Sequence, residues 1–194
     1  MNVILLSNPA TPLFELLKNF NEEVILISSK IKPEQIFGIN PGFMIAYGYP
    51  YIIPNHIIDK FPKKIINLHI SYLPWNKGAE PVFWSFLNNT PKGVSIHYVS
   101  DKVDSGNIIV QKEVGYEPDD TLQKHYDDLN REILILFKEN WKKIRSGQCS
   151  SVPQKEKGSF HFQQAKENYL ELLKEGHQTS IKKIIEYSQK YSKL

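Results

Sequence analysis

Short apolar runs alternate with helical patterns along the first 90 residues. Continuous aliphatic runs bounded by polar residues are typical of buried strands, and they predict strands at residues 2–7, 24–27, 43–46 and 64–69. Apolar residues at helical spacing predict helices at 11–20, where Thr11 is expected to cap, and at 54–61. This alternation predicts an α/β fold, with a mostly parallel sheet and helices on both faces.

The second half of the chain follows a different pattern. The turn Asp104-Ser105-Gly106-Asn107 connects two strands so closely that the pair is expected to be antiparallel or mixed. The elements predicted there are a helix at 79–88, strands at 92–100 and 108–114, a helix at 119–146, a loop at 148–162 and short helices near 163–174 and 179–191. The last two predict a short helical C-terminal tail.

Length and composition narrow the class of protein. The 194 residues fit one domain, with residues 1–150 as its main body and residues 151–194 as a helical appendage of that domain. The formal net charge of +3 does not predict nucleic acid as a partner. No apolar run approaches the about 20 residues of a membrane helix, and no secretory signal is evident, so the cytoplasm is expected. The histidines lack ligand spacing and Cys149 is the single cysteine, so no metal is expected.

Two polar side chains stand near the end of the predicted strand at 64–69. Asn67 and His69 are two residues apart, so they project from the same face of that strand. Ligands of such sheets bind beyond the carboxyl ends of the strands. An amide can donate a hydrogen bond to a developing oxyanion, and an imidazole can donate or exchange a proton. The alternative is a strand end whose polar side chains satisfy a turn.

A carboxylate follows in the turn after the strand at 92–100. Asp104 stands two residues before Gly106, and a carboxylate beside an imidazole would raise the imidazole pKa and orient the ring. Asp104 can instead serve as an ordinary turn residue, and Asp101 is a competing candidate. His97 shares a strand face with Val99, and a structural role is favoured for it.

These residues together match a family pattern. The run Asn67-Leu68-His69, then Ser71 and Leu73-Pro74, with Asp104-Ser105-Gly106 downstream, resembles the Asn-x-His-x-Ser-x-Leu-Pro and Asp-x-Gly motifs of the folate-dependent formyltransferases. This family includes glycinamide ribonucleotide formyltransferase, the catalytic domain of methionyl-tRNA formyltransferase and the sugar N-formyltransferases. The resemblance implies a Rossmann-like formyltransferase fold, with residues 1–150 as the catalytic domain.

Further segments are similar to one branch of that family. They are Leu73 to Gly78, Pro81 to Ser85, Thr90 to Val94 and Gly158 to Phe162. This branch contains the amino-sugar formyltransferases, such as that of the pseudaminic-acid pathway, and the related formylation domain of a nonribosomal peptide synthetase.

The resemblance implies formyl transfer from 10-formyltetrahydrofolate to the primary amine of a UDP- or dTDP-linked amino sugar. Asn67, His69 and Asp104 match the triad. Asn67 and His69 would hold the oxyanion, and Asp104 would keep His69 oriented and charged or relay a proton through water. Folate is expected against the main chain of Gly48, Tyr49, Pro50, Tyr51, Ile52, Val99, Ser100, Asp101 and Val103. The sugar nucleotide is expected at Ser7, Asn8, Ser71, Trp75, Asn76 and Lys77.

Departures from the family pattern leave other functions open. Ser7 to Thr11 contains no glycine, unlike the phosphate loop of glycinamide ribonucleotide formyltransferases, which argues against that substrate. Methionyl-tRNA formyltransferases add a separate tRNA-binding domain, which is not expected within these 194 residues. The alternatives are formylation of another small amine, a hydrolase that releases formate from the same donor, and a non-catalytic folate-binding module. A homodimer through the last helices is also an expectation.

Overall fold

The structure, a computed structural model, describes residues 1–191. The helices are α1 (Leu13–Asn19), α2 (Pro33–Ile39), α3 (Asn55–Lys60), α4 (Pro81–Leu87), α5 (Leu122–Arg145) and α6 (Ile181–Tyr191). The strands are β1 (Asn2–Ser7), β2 (Glu23–Ile27), β3 (Phe43–Tyr47), β4 (Ile65–His69), β5 (Lys77–Gly78), β6 (Gly93–Tyr98), β7 (Ile108–Glu113) and β8 (Phe160–His161). The last three residues of the predicted appendage, 192–194, lie outside the described residues.

Six strands form the main sheet, in the order β2-β1-β3-β4-β6-β7. The first four are parallel, and β6 runs antiparallel to both β4 and β7. Strands β5 and β8 form a separate parallel pair. The predicted fold class, a mostly parallel mixed sheet of the Rossmann-like formyltransferase type, is confirmed, and so is the antiparallel pairing after the turn.

Strand β1 shows why the sheet is covered on both faces. Val3 and Leu5 pack into a core that also contains residues of α1, α4, α5 and α6. Ile4 and Leu6 pack into a second core with Ile36 of α2 and Ile57 of α3. Because successive side chains of a strand point to opposite faces, a continuous apolar run needs two covering layers. Full burial of each such side chain stabilises the fold by about 1.5–3 kcal/mol.

The long helix α5 closes one of these layers. Thr121 caps it, since its hydroxyl accepts a hydrogen bond from the Lys124 amide. At its other end Trp141 is fully buried, and its indole N–H donates to the carboxylate of Glu22 at 3.1 Å. Arg145 pairs with the same carboxylate. Within residues 1–191, no helix combines the length and the apolar character that crossing a membrane requires.

Several predicted elements need correction. Helix α2 was not predicted, because seven residues with Gly38 among them and one buried side chain, Ile36, give no clear periodicity. Segment 148–162 is not only a loop, since it contains β8. The short helix predicted near residues 163–174 is a 3-10 helix over Gln163–Tyr169. The cap predicted at Thr11 is confirmed, since its hydroxyl accepts from the Leu13 amide at 3.3 Å and Pro12 already has helical φ and ψ.

Candidate active site

A cavity of about 980 Å³ opens where the parallel strands end. Its walls come from the residues that follow β1 and β3, from the end of β4, from the turn after β6, and from the segment around β8. Parallel strands bring their carboxyl ends to one edge of the sheet, and ligands of such folds bind there. The cavity therefore lies where the strand topology predicts a binding site.

The carboxylate of Asp104 lies at the centre of this site. Its Oδ1 accepts a hydrogen bond from the Asn67 amide at 3.0 Å, and its Oδ2 accepts one from the backbone N–H of Gly78 at 2.9 Å. The Nδ1 atom of His69 lies 3.7 Å from Oδ2, and the Nε2 atom of His97 lies 3.4 Å from Oδ1. The structure thus brings Asn67, His69 and Asp104 together, as the sequence predicts.

His97 is a member of this cluster that sequence reasoning did not select. Its position follows from the antiparallel register of β4 and β6, which places His97 opposite Asn67. Its Nδ1 lies 2.8 Å from the Tyr98 carbonyl, and its Nε2 lies 3.3 Å from the Asn67 amide nitrogen. The sequence did not predict that β4 and β6 are neighbours, and the register that places these two residues opposite each other cannot be read from the alternation of either strand.

Asp104 is a carboxylate throughout the physiological pH range. Burial raises its pKa, but the His69 and His97 imidazoles and the Gly78 N–H outweigh burial and hold the pKa well below its ordinary value. A carboxyl group with such a low pKa is a poor proton acceptor. Its contribution is therefore negative charge and orientation, which argues against the predicted alternative of a proton relay through Asp104.

His69 differs from the expectation in its charge. Burial lowers its pKa, and the opposing effect of Asp104 is smaller, so the imidazole is neutral near pH 7 rather than charged. Its Nε2 lies 3.2 Å from the backbone carbonyl of Asn76, which assigns the ring proton to Nε2. The unprotonated Nδ1 then faces the Asp104 carboxylate, where an added proton would be stabilised.

Gln154 holds the turn that carries Asp104. Its amide nitrogen donates to the backbone carbonyls of Asp104 at 2.8 Å and Gly106 at 2.9 Å. Asp104 has a positive φ of 49°, which aspartate tolerates better than most residues. A Cβ atom on Gly106 would lie 1.9 Å from the Tyr98 carbonyl oxygen, so only glycine fits there. Neither contact of Gln154 was predicted, because residue 154 lay in a presumed loop.

The predicted folate-binding residues all line the cavity. They are Gly48, Tyr49, Pro50, Tyr51, Ile52, Val99, Ser100, Asp101 and Val103. The stretch from Gly48 to Ile52 lies outside helices and strands, so its main-chain groups are not committed to a sheet or helix. The hydroxyl of Tyr49 is engaged elsewhere, because it accepts from the Ile31 amide at 2.9 Å and donates to the Ser29 carbonyl at 2.8 Å.

The predicted sugar-nucleotide residues divide into two groups. Ser7 and Asn8 line the cavity, whereas Ser71, Trp75, Asn76 and Lys77 do not. Ser71 is buried and donates to the Trp75 carbonyl, and the fully buried amide of Asn76 donates to the Thr90 hydroxyl at 2.8 Å. These two side chains stabilise the loop after β4, and Asn76 reaches the site through its carbonyl contact with His69. Lys77 lines a separate, smaller cavity.

The segment around β8 supplies a wall that the predicted site lacks. Phe160, His161 and Phe162 line the cavity, and the ring of His161 stacks on Trp84 with centroids 4.1 Å apart. Pairing of β8 with β5 brings this segment beside Gly78, which itself binds Asp104. The similarity of Gly158 to Phe162 to a family segment was the available clue. Within residues 1–191, no group of acidic, histidine or cysteine side chains is arranged to hold a metal ion.

Comparison with known proteins decides the family. The model of the "Formyl transferase" family matches residues 14–136, which is more than half of the chain. The chain belongs to the formyl transferase family. Formyl transferase relatives include methionyl-tRNA formyltransferases, of which that of Finegoldia magna is 31% identical over 110 residues, or 54% of this chain and 36% of the relative. The chain therefore spans less than half the length of the curated relatives it matches.

Solved structures of formyl transferases match over more of the chain. The formyltransferase PseJ of Anoxybacillus kamchatkensis, in complex with UDP-4,6-dideoxy-4-formamido-L-AltNAc and tetrahydrofolate, is 44% identical. The match covers 97% of this chain and 100% of that one, with a TM-score of 0.93. An N-formyltransferase from Helicobacter canadensis shares the fold at 22% identity and a TM-score of 0.66, covering 84% of this chain and 70% of its own. The predicted resemblance to the family and to its sugar branch is confirmed.

Proposed function

We propose that this protein transfers a formyl group from 10-formyltetrahydrofolate to the 4-amino group of a UDP-linked 4-amino-4,6-dideoxy sugar. The observation that carries this proposal is the match to PseJ, which extends over the whole length of that protein, and PseJ binds a UDP-linked 4-formamido sugar and tetrahydrofolate. The arrangement of Asn67, His69 and Asp104 around one cavity supports the same reaction.

The size and walls of the cavity support both substrates. Folate would lie between Val99 to Val103 and the main chain of Gly48 to Ile52, whose N–H and C=O groups lie outside helices and strands and can bind the flat pterin ring. Ser7 and Asn8, at the end of β1 beside the end of β3, are assigned to the sugar nucleotide. In this proposal the formyl group and the amine meet beside His69.

In the proposed reaction the amine nitrogen bonds to the formyl carbon and the bond from that carbon to N10 of the folate breaks. Asn67 donates a hydrogen bond to the oxygen that becomes anionic, the usual role of such an amide. This requires one of its amide hydrogens to turn from Asp104 or His97 toward the substrate.

His69 carries the proton. Its unprotonated Nδ1 accepts the proton that the amine loses, and Asp104, 3.7 Å away, stabilises the resulting imidazolium. The imidazolium then gives this proton to N10 as that nitrogen leaves. A neutral imidazole that can be protonated transiently is suited to both steps. Asp104 itself stays ionised and supplies charge and orientation.

An assay of the purified chain tests the proposal. 10-Formyltetrahydrofolate is supplied with UDP-4-amino-4,6-dideoxy sugars, with dTDP-linked 3-amino sugars and with glycinamide ribonucleotide, and products are weighed by mass spectrometry. The expected result is one added formyl group on the UDP-linked 4-amino sugar. Formylation of another amine only, donor hydrolysis without formylated product, or binding without turnover would each contradict it. The homodimer and the cytoplasmic location stay predictions.

A further inference from the structure

A second cavity of about 410 Å³ lies beside the first and shares Lys102, Val103 and Phe160 with it. Three lysines line this second cavity, which we name the lysine cavity: Lys77, Lys102 and Lys157. They come from three separate segments, namely β5, the turn after β6 and the segment before β8. The fold therefore brings together cationic side chains that are far apart in the sequence.

In the described part of the chain, the charged side chains that line the lysine cavity are all positively charged. Among residues 1–191, no aspartate or glutamate lines it, and none lies within 4.0 Å of the ammonium group of Lys77, Lys102 or Lys157. Other lysines of this protein are paired, as Lys112 is with Glu132 at 2.6 Å. Asp104 is the nearest source of negative charge to Lys77, but its oxygens already bind Asn67 and Gly78. Three unpaired ammonium groups around one concave space make a site of positive potential.

The main chain around the lysine cavity is fixed before any ligand binds. The Lys77 amide donates to the Ser159 carbonyl at 3.0 Å, and β5 pairs with β8. Gly158 has a φ of +63°, and a Cβ atom there would lie 1.9 Å from the Pro74 carbonyl oxygen. The segments that carry Lys77 and Lys157 are thus held against each other by main-chain contacts, so the backbone positions of these two lysines are set before an anion binds.

We infer that the lysine cavity binds the anionic oxygens of one of the two substrates, carried either as the diphosphate of the sugar nucleotide or as the glutamate carboxylates of the folate. The inference rests on the proposed function for the identity of these substrates. Both sources have the same chemistry, paired oxyanions for which ammonium groups are suitable partners. Both are within reach, because the lysine cavity shares Lys102, Val103 and Phe160 with the first cavity, and Val103 is one of the predicted folate-binding residues.

Binding measurements on the full chain test the inference without turnover. Calorimetry would give the affinity for UDP against uridine, and for 5-formyltetrahydrofolate with one against three glutamates. The test variant is the double substitution Lys102→Gln with Lys157→Gln. The matched control is Lys155→Gln, because Lys155 is exposed, lies two residues from Lys157 and lines neither cavity.

Each pair of ligands tests one of the two possible sources of the anionic oxygens, the diphosphate or the folate glutamates. If the cavity binds the diphosphate, the double variant is expected to bind UDP about tenfold more weakly while its folate affinity is unchanged. If the cavity binds the folate glutamates, 5-formyltetrahydrofolate with three glutamates is expected to bind the unmodified chain more tightly than the form with one. The double variant is then expected to bind both forms with equal affinity. The control is expected to match the unmodified chain in both cases.

The inference is overturned when the unmodified chain binds UDP and folate and the double variant binds all four ligands as tightly. Failure of the unmodified chain to bind either UDP or the folates would overturn the proposed function together with the inference. The two failures are therefore distinguishable from the same set of titrations.

Discussion

His69 and His125 are both buried histidines whose pKa burial lowers and carboxylates raise, yet their hydrogen bonds and their access to a cavity differ. His69 has a carbonyl 3.2 Å from one ring nitrogen, a carboxylate 3.7 Å from the other, and a large cavity beside it. His125 is surrounded by the rings of Phe86 and Tyr116, and neither of its nitrogens has a hydrogen-bond partner among residues 1–191. Asp128 and Asp120 raise the pKa of His125 without outweighing its burial, and among residues 1–191 no carboxylate lies within 4.0 Å of its ring nitrogens. Burial makes a histidine neutral, whereas proton transfer also requires a carboxylate beside the ring and access for the substrate.

The largest effect is expected from Asp104→Asn, which makes the surroundings of His69 more like those of His125. The variant removes the charge that stabilises protonated His69, so turnover should fall by about 10²–10⁴-fold. The pKa of His69 should fall further below its ordinary value, since the raising effect of Asp104 is lost. Turnover is measured by formyl transfer and the imidazole titration by NMR. Unchanged turnover with the altered titration would show that His69 does not carry the proton.

Asn67→Ala tests the oxyanion role next to the same carboxylate. Loss of one oxyanion donor typically costs about 10²–10³-fold in turnover, and KM for either substrate should change little. Steady-state kinetics with both substrates varied would separate the two parameters. A rise in KM at constant kcat would instead make Asn67 a residue that only binds substrate.

His125→Phe tests the other side of the comparison through stability. The folded-state pKa of His125 is about 4, below the ordinary value of 6.5, so the unfolded chain binds more protons between these values. The stability present above pH 6.5 is therefore lost as the pH falls toward 4, by about 2 kcal/mol at pH 5. His125→Phe should abolish this loss, measured as the urea midpoint at pH 7.5 and pH 5.

The same variant should leave formyl transfer unchanged, because His125 lines neither cavity. If His125→Phe is as stable as the unmodified protein at pH 7.5 but loses activity, His125 contributes to turnover and the contrast drawn between the two histidines is wrong.

Among the variants expected to lower turnover, Gln154→Ala should have the smallest effect. Without the amide, the carbonyls of Asp104 and Gly106 lose a shared donor and the turn becomes less well fixed. The expected result is about a tenfold loss in kcat with unchanged KM, equivalent to about 1.4 kcal/mol. Lys155→Ala is the matched control, one residue along the same segment. Equal losses in both variants would mean that the segment matters and the amide does not.

The sequence predicted those parts of the molecule that depend on local pattern. Apolar runs located β1, β3 and β4, and alternation within β4 placed Asn67 and His69 on one face. Asp104 could be selected as a candidate because it precedes Gly106 by two residues in a turn, and this pair matches a family motif. The fold class and the family are confirmed, while the roles of the triad stay a proposal.

The remaining parts depend on contacts between distant segments. His97 joins the cluster through strand register, and Gln154 and Phe160 through pairing of a segment that has no periodicity of its own. The sequence also did not predict that His69 is neutral. Burial lowers the pKa of its imidazole and Asp104 raises it, and the extent of burial is known only from the folded molecule. Nothing in the local pattern around Asn76 distinguished a buried loop amide from a ligand-binding one.

The hydrogen bonds from Gln154 also set an order of events during synthesis. The ribosome must add 50 residues after Asp104 before the side chain that anchors its turn exists. At about 5–20 residues per second, this takes about 3–10 seconds. During that interval β4, which carries both Asn67 and His69, has already been made, but the turn that carries Asp104 is not yet held by Gln154. Strand β4 is thus complete before the contact that fixes the turn of Asp104 can form.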